Sequence, residues 1–188
     1  PFGEMMTASN DDVTLELIQK NGKIIHVLRE LHPYGGVYSR SFIWGDDRIN
    51  EIDEIIYYEN NSWFRNYKFI YEDNSRNFES IIEGRSNFSP DGARRSNSRY
   101  ATHYFEYDDQ MTPFNNFNFP LFWKDKIWDV SLTDNNITRI VNNYSNDTVP
   151  DNIVQYTYKY NSFVAIGYPY ERTIEGVEKV NYFYRYCP

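Results

Sequence analysis

A chain of 188 residues can bury a sizeable core without disulfides or a structural metal, and its formal net charge is −8 with a pI near 4.9. That field repels phosphate backbones, which excludes nucleic-acid binding as a main role. Aromatic residues make up 19% of the chain, yet mean hydropathy is only −0.73. Rings in a polar chain imply antiparallel sheet with one apolar face and one wet face.

The first clear elements lie near the start. Val13-Thr14-Leu15-Glu16-Leu17 alternates, Asn21-Gly22 follows, and Lys23-Ile24-Ile25-His26-Val27-Leu28 returns. Asn-Gly accepts the positive φ angles of a type I′ turn, so this segment reads as a two-residue hairpin. Further turns are expected at Gly35-Gly36 and Gly45-Asp46-Asp47. Over residues 48–58, Ile49, Ile52, Ile55 and Ile56 fit a helical face as well, but the flanking turns and Tyr57-Tyr58 favour a strand.

Downstream, four stretches carry rings at strand spacing: Tyr67 to Tyr71, Tyr104 to Tyr107, Tyr156 to Tyr160 and Tyr182 to Tyr186. A period of two puts Tyr156, Tyr158 and Tyr160 on one face, and Thr157 and Lys159 on the other. Turns at Asp73-Asn74-Ser75, Pro90-Asp91-Gly92, Asp134-Asn135-Asn136, Asn161-Ser162 and Glu175-Gly176 separate these stretches from their neighbours. No linker divides residues 1–188, so one all-β domain is expected. It would be an antiparallel up-and-down meander of roughly 10–12 strands, curling into a barrel or partial barrel.

Chemistry-bearing motifs are few. Cys187 is the single cysteine, and His26, His32 and His103 share no metal-ligand spacing, so no metal or cofactor is expected. Nucleophile elbows, P-loops and dinucleotide fingerprints are missing. The carboxylates Asp11-Asp12, Asp46-Asp47, Asp108-Asp109, Glu51, Asp53 and Glu54 crowd at turns or neighbour one another on a strand, which does not set two carboxyls across a cleft. Arg94, Arg95 and Arg99 read as a solvated loop.

The segment Pro113 to Trp123 has neither strand nor helix period and concentrates rings in a connection. Its Phe114, Phe117, Phe119, Phe122 and Trp123, with Trp63 and Trp128, are the candidate binding residues. They form either a plug or an exposed apolar patch. The aromatic ladders likewise fit a packed core or a platform for sugar rings.

Tyr107-Asp108-Asp109, Thr112-Pro113-Phe114, Asn135-Asn136-Ile137-Thr138, Tyr156 to Asn161 and Gly167-Tyr168-Pro169 occur in a telling order. That order resembles the Bacteroidetes lipoproteins grouped as a domain of unknown function with a porin-like fold. The aromatic strand followed by Asp or Asn and a turn is more distantly similar to YD-type repeats. The resemblance spans residues 48–188 and implies an exported, lipid-anchored protein of the periplasm or cell surface, with no catalytic residues. Residues 1–12 would then be a flexible tail behind a removed signal or anchor segment, the only link to a membrane. Lys68, Glu72, Thr157, Lys159 and Arg185 oppose the aromatic faces and belong in water, so a soluble barrel is expected rather than a bilayer-spanning one. Three functions stay open: a non-enzymatic module binding a glycan or apolar ligand, an assembly component docking a surface protein, and a glycoside hydrolase with a carboxylate pair.

Overall fold

Asn21 and Gly22 adopt φ of 52° and 75°. These are the paired positive angles of a type I′ turn, and they join β2 (Val13–Lys20) to β3 (Lys23–Leu31) as the dipeptide dictates. The computed structural model describes residues 4–9, 13–31, 36–45, 48–58, 61–87, 98–112, 133–144, 152–160, 168–175 and 178–183. The remaining strands are β1 (Glu4–Ser9), β4 (Gly36–Trp44), β5 (Ile49–Tyr58), β6 (Asn61–Tyr71), β7 (Phe78–Asn87) and β8 (Ser98–Met111). β9 (Asn135–Tyr144), β10 (Asn152–Tyr160), β11 (Pro169–Ile174) and β12 (Glu178–Asn181) complete the set.

All twelve strands lie in one sheet in sequence order, and each pairs antiparallel with its chain neighbours. The meander is therefore as expected, and residues 48–58 supply a strand. The sheet is open, because β1 and β12 do not pair and no closed barrel forms among the described residues.

Two expectations are corrected. Residues 4–9 are not a tail: they form β1, where Met6 pairs with Leu17 and Ala8 with Leu15 and so extend the apolar side of β2. Asn135 and Asn136 start β9 rather than make a turn. Their side chains bond to residues distant in the chain instead of locally. Asn77 Nδ2 donates to Asn135 Oδ1 at 2.9 Å, and Asn136 Nδ2 reaches Tyr160 Oη at 3.1 Å. Asn74 and Glu175, at φ of 57° and 50°, keep two of the other expected turns.

One face of the sheet holds the core. Ile24, Val27, Phe42, Ile49, Ile52, Tyr67, Phe69, Phe78, Ile81, Phe105, Ile137, Ile140 and Tyr156 form one buried cluster. The register aligns them in rows across strands, with Phe42 opposite Ile52 and Ile52 opposite Tyr67. Phe78 is fully buried, with edge-on ring contacts to Phe69, Tyr71, Phe105 and Tyr107. The Tyr67, Tyr156 and Tyr158 ladder rings are thus core rings, while Tyr160 is 38% exposed.

The opposite face is mixed, with Ser80, Ser86 and Thr102 buried at its centre and charged residues exposed around them. Lys68, Glu72, Thr157 and Lys159 are exposed there, as their alternation requires. Lys159 pairs with Glu171 at 2.8 Å, and Arg139 with Glu106 at 2.5 Å. A lipid-facing barrel fills alternate positions of every strand with apolar side chains, and this face does not. Phe64 departs from the pattern: it is 8% exposed, with Ile55 and Ser86 as its cross-strand neighbours.

Candidate functional site

The core face is not apolar throughout. Two residues from Phe42 in β4 stands Arg40, two from Ile52 in β5 stands Glu54, and two from Tyr67 in β6 stands Arg65. The pattern continues with Glu83 beside Ile81, His103 beside Phe105 and Asn142 beside Ile140. Strand periodicity forces each of these polar side chains onto the core face. Together they make a polar belt across six consecutive strands, β4 to β9.

The belt falls into two linked groups. Arg40 Nε donates to Glu54 Oε1 at 2.7 Å, and Glu54 Oε2 lies 3.6 Å from Arg65 Nη1. Arg85 Nε donates to Glu83 Oε1 at 2.5 Å, and His103 Nε2 lies 3.1 Å from Glu83 Oε2. His103 Nδ1 lies 2.6 Å from Asn142 Oδ1. Both ring nitrogens of His103 thus face oxygen acceptors, and Glu54 and Glu83 are each 3% exposed.

Burial would raise the Glu83 carboxyl, but hydrogen bonds from His103 and Arg85, with the Arg85 charge, hold it below the ordinary range. Tyr67 runs the other way: burial and then the Glu83 and Glu54 charges push its phenol above the ordinary tyrosine range, against an opposing Arg65. Buried charges in such numbers are poor stabilisers, because desolvation offsets most of their attraction. Their concentration on the one face that should be apolar marks this region as the candidate site.

The belt borders an open cleft of about 350 Å³. Tyr38, Ile56 and Trp63 form one wall, a single cross-strand row in register. The next row on the same face brings Arg65 directly opposite Arg85, and both line the cleft. Their side chains are 35% and 39% exposed. The Arg85 guanidinium lies 3.3 Å from the centre of the Tyr100 ring, which in turn meets Tyr144 edge-on at 5.5 Å. The cleft therefore combines exposed aromatic surface with cationic N–H donors. That combination suits one polar ring-shaped molecule, and the volume matches one as well.

Of the residues singled out from sequence, Trp63 lies in this cleft. Phe114, Phe117, Phe119, Phe122, Trp123 and Trp128 lie outside the described residues, as do Arg94, Arg95, His32 and the terminal Cys187. His26 faces away from the core, with Nδ1 3.0 Å from Ser41 Oγ, and burial lowers its pKa. Glu51 and Asp53 both accept from the Asn66 amide, the Asp53 contact at 2.6 Å. His103, dismissed on spacing, and Arg65 and Arg85, never singled out, are what sequence reasoning missed. The available signal was a polar residue at the core parity of each strand.

Among solved structures, a porin-like protein from Bacteroides uniformis is similar, with a TM-score of 0.48 and 10% identity over 95% of this chain and 73% of that one. At that level the likeness bears on neither the site nor its ligand. No family model matches the chain, and no curated protein does.

Proposed function

We propose that this protein is a non-enzymatic binding module of the periplasm or cell surface, which holds one saccharide ring in the cleft beside Trp63. The observation that carries the reading is the cleft itself. Trp63 is a large side chain left 38% exposed, in one row with Tyr38 and beside hydrogen-bond donors, on a face that buries most of its other rings. Sugar C–H faces pack on such rings while charged donors orient the hydroxyls. The belt beneath would hold the arginines in place before any ligand arrives. Export and a lipid anchor are supported by the motif order from Tyr107 to Pro169.

A thermal-shift screen of the purified chain against neutral and acidic saccharides tests the module. A ligand at 100-fold its dissociation constant stabilises the native state by about 2.7 kcal/mol. The expected result is a rise in Tm that Trp63→Ala abolishes. A panel with no rise would remove the reading.

A second reading has its own observation. Met5 and Met6 are 66% and 46% exposed on β1, which among the described residues pairs on one side only. An edge of that kind suits addition of a strand from a partner protein.

A further inference from the structure

We propose that the ligand of this cleft is acidic: a uronic-acid-type saccharide whose carboxylate sits between Arg65 and Arg85 while its ring packs on Trp63. This inference rests on the cleft being a saccharide site and specifies what that site selects.

Arg65 and Arg85 are directly paired across β6 and β7, one beside the other on the same face. Like charges in that relationship repel and weaken a sheet unless something between them is negative. Glu54 and Glu83 compensate only in part. Glu54 lies beside Arg65 in the same row, as its direct cross-strand partner on the side away from Arg85, and Glu83 faces Tyr67, one row further from the cleft row of Tyr38, Ile56 and Trp63. The Arg65 and Arg85 side chains remain 35% and 39% exposed, so two cationic groups face the cleft together on a chain of net charge −8.

The arginines are also posed for a carboxylate. Arg85 commits its Nε to Glu83, and its guanidinium carbon lies 3.3 Å from the centre of the Tyr100 ring, so the group is held by two contacts. A guanidinium fixed in this way offers its terminal N–H groups edge-on, the arrangement that a carboxylate accepts in bidentate fashion. Arg65 is held more loosely, by Glu54 at 3.6 Å and by the Tyr67 phenol. Trp63 is two residues from Arg65 on the same strand face, so an anion on the arginines places an attached ring against the indole.

Isothermal titration of the purified chain with methyl glucuronide, methyl glucoside and inorganic phosphate tests this. The glucuronide should bind at least about tenfold tighter than the glucoside, a difference within the reach of one charge-assisted pair. Arg85→Gln and Arg65→Gln should each remove that preference, and Trp63→Ala should weaken both sugars. Arg85→Lys, which keeps the charge and loses the fork, should lose most of the preference. Should a variant fail to fold, the wild-type ratio of acid to neutral sugar decides alone. Equal binding of the two glycosides would overturn the acidic ligand and leave the saccharide module standing. Phosphate binding as tightly as the glucuronide, unaffected by Trp63→Ala, would overturn the sugar and leave a bare anion site. No binding by any of the three would overturn both.

Discussion

His103 of β8 and Glu83 of β7 meet at 3.1 Å on the core face, each with a side chain 4% exposed. They are the most deeply buried polar contact of the belt, and Asn142 closes the other side of the imidazole at 2.6 Å. Removing one partner of such a pair leaves the other without its hydrogen bond and away from water. His103→Ala should therefore cost about 3 kcal/mol or more of stability, measured by urea unfolding followed by circular dichroism. A loss below about 1 kcal/mol would mean that water already reaches Glu83.

The same carboxyl sets a pH dependence. Glu83 titrates below its ordinary value of 4.5 when folded. Its folded form therefore binds a proton more weakly than its unfolded form, and the stability it contributes is complete above the unfolded pKa. That stability is lost as the pH falls through the window below 4.5 toward the folded pKa. Unfolding free energy measured across this window should fall less steeply in Glu83→Gln than in the wild type. Parallel slopes would show that other carboxylates carry the acid transition.

Most of the fold was legible because the physics that makes it is local. Asn21-Gly22 encodes its turn through two positive φ angles, and Tyr67 to Tyr71 encodes a strand through its period. The site was less legible because its residues come from six strands and meet only through register. Each member shares the strand parity of a core residue, such as Arg65 with Tyr67 and Arg85 with Ile81, so its face could be read from the sequence. Its partner could not. Asn135 and Asn136 misled for a related reason: Asn favours turns through local hydrogen bonds, and here those bonds go to Asn77, Gln110 and Asp108 instead.

Gly22 isolates the conformational contribution of one turn. Its φ is 75°, and an added Cβ would meet nothing within 4 Å. Gly22→Ala therefore creates no clash and loses only backbone freedom in the left-handed region. The expected cost is about 1 kcal/mol, read from the unfolding midpoint at unchanged m-value. A cost near zero would indicate that the turn changes type to accommodate alanine.

Asn136 performs a different task at the end of β9. It is 3% exposed, and its Nδ2 lies within 3.3 Å of both Asp108 carboxylate oxygens, 3.2 Å from the Gln110 and Met111 carbonyls and 3.1 Å from Tyr160 Oη. One amide thus gathers acceptors from the irregular end of β8 and from β10, where the β8 register shifts between Tyr107 and Met111. Asn136→Ala should cost about 2 kcal/mol, because the part-buried acceptors that share its two N–H groups would lose that donor. Asn136→Asp should be worse than Ala at neutral pH, although it is nearly isosteric, since it sets a second carboxylate against Asp108. Lowering the pH to protonate the pair should narrow the gap between the two variants, and urea midpoints at neutral and acidic pH would show it. An Asp variant as stable as the wild type at neutral pH would mean that this cage of oxygens welcomes negative charge, contrary to the donor role assigned to Asn136.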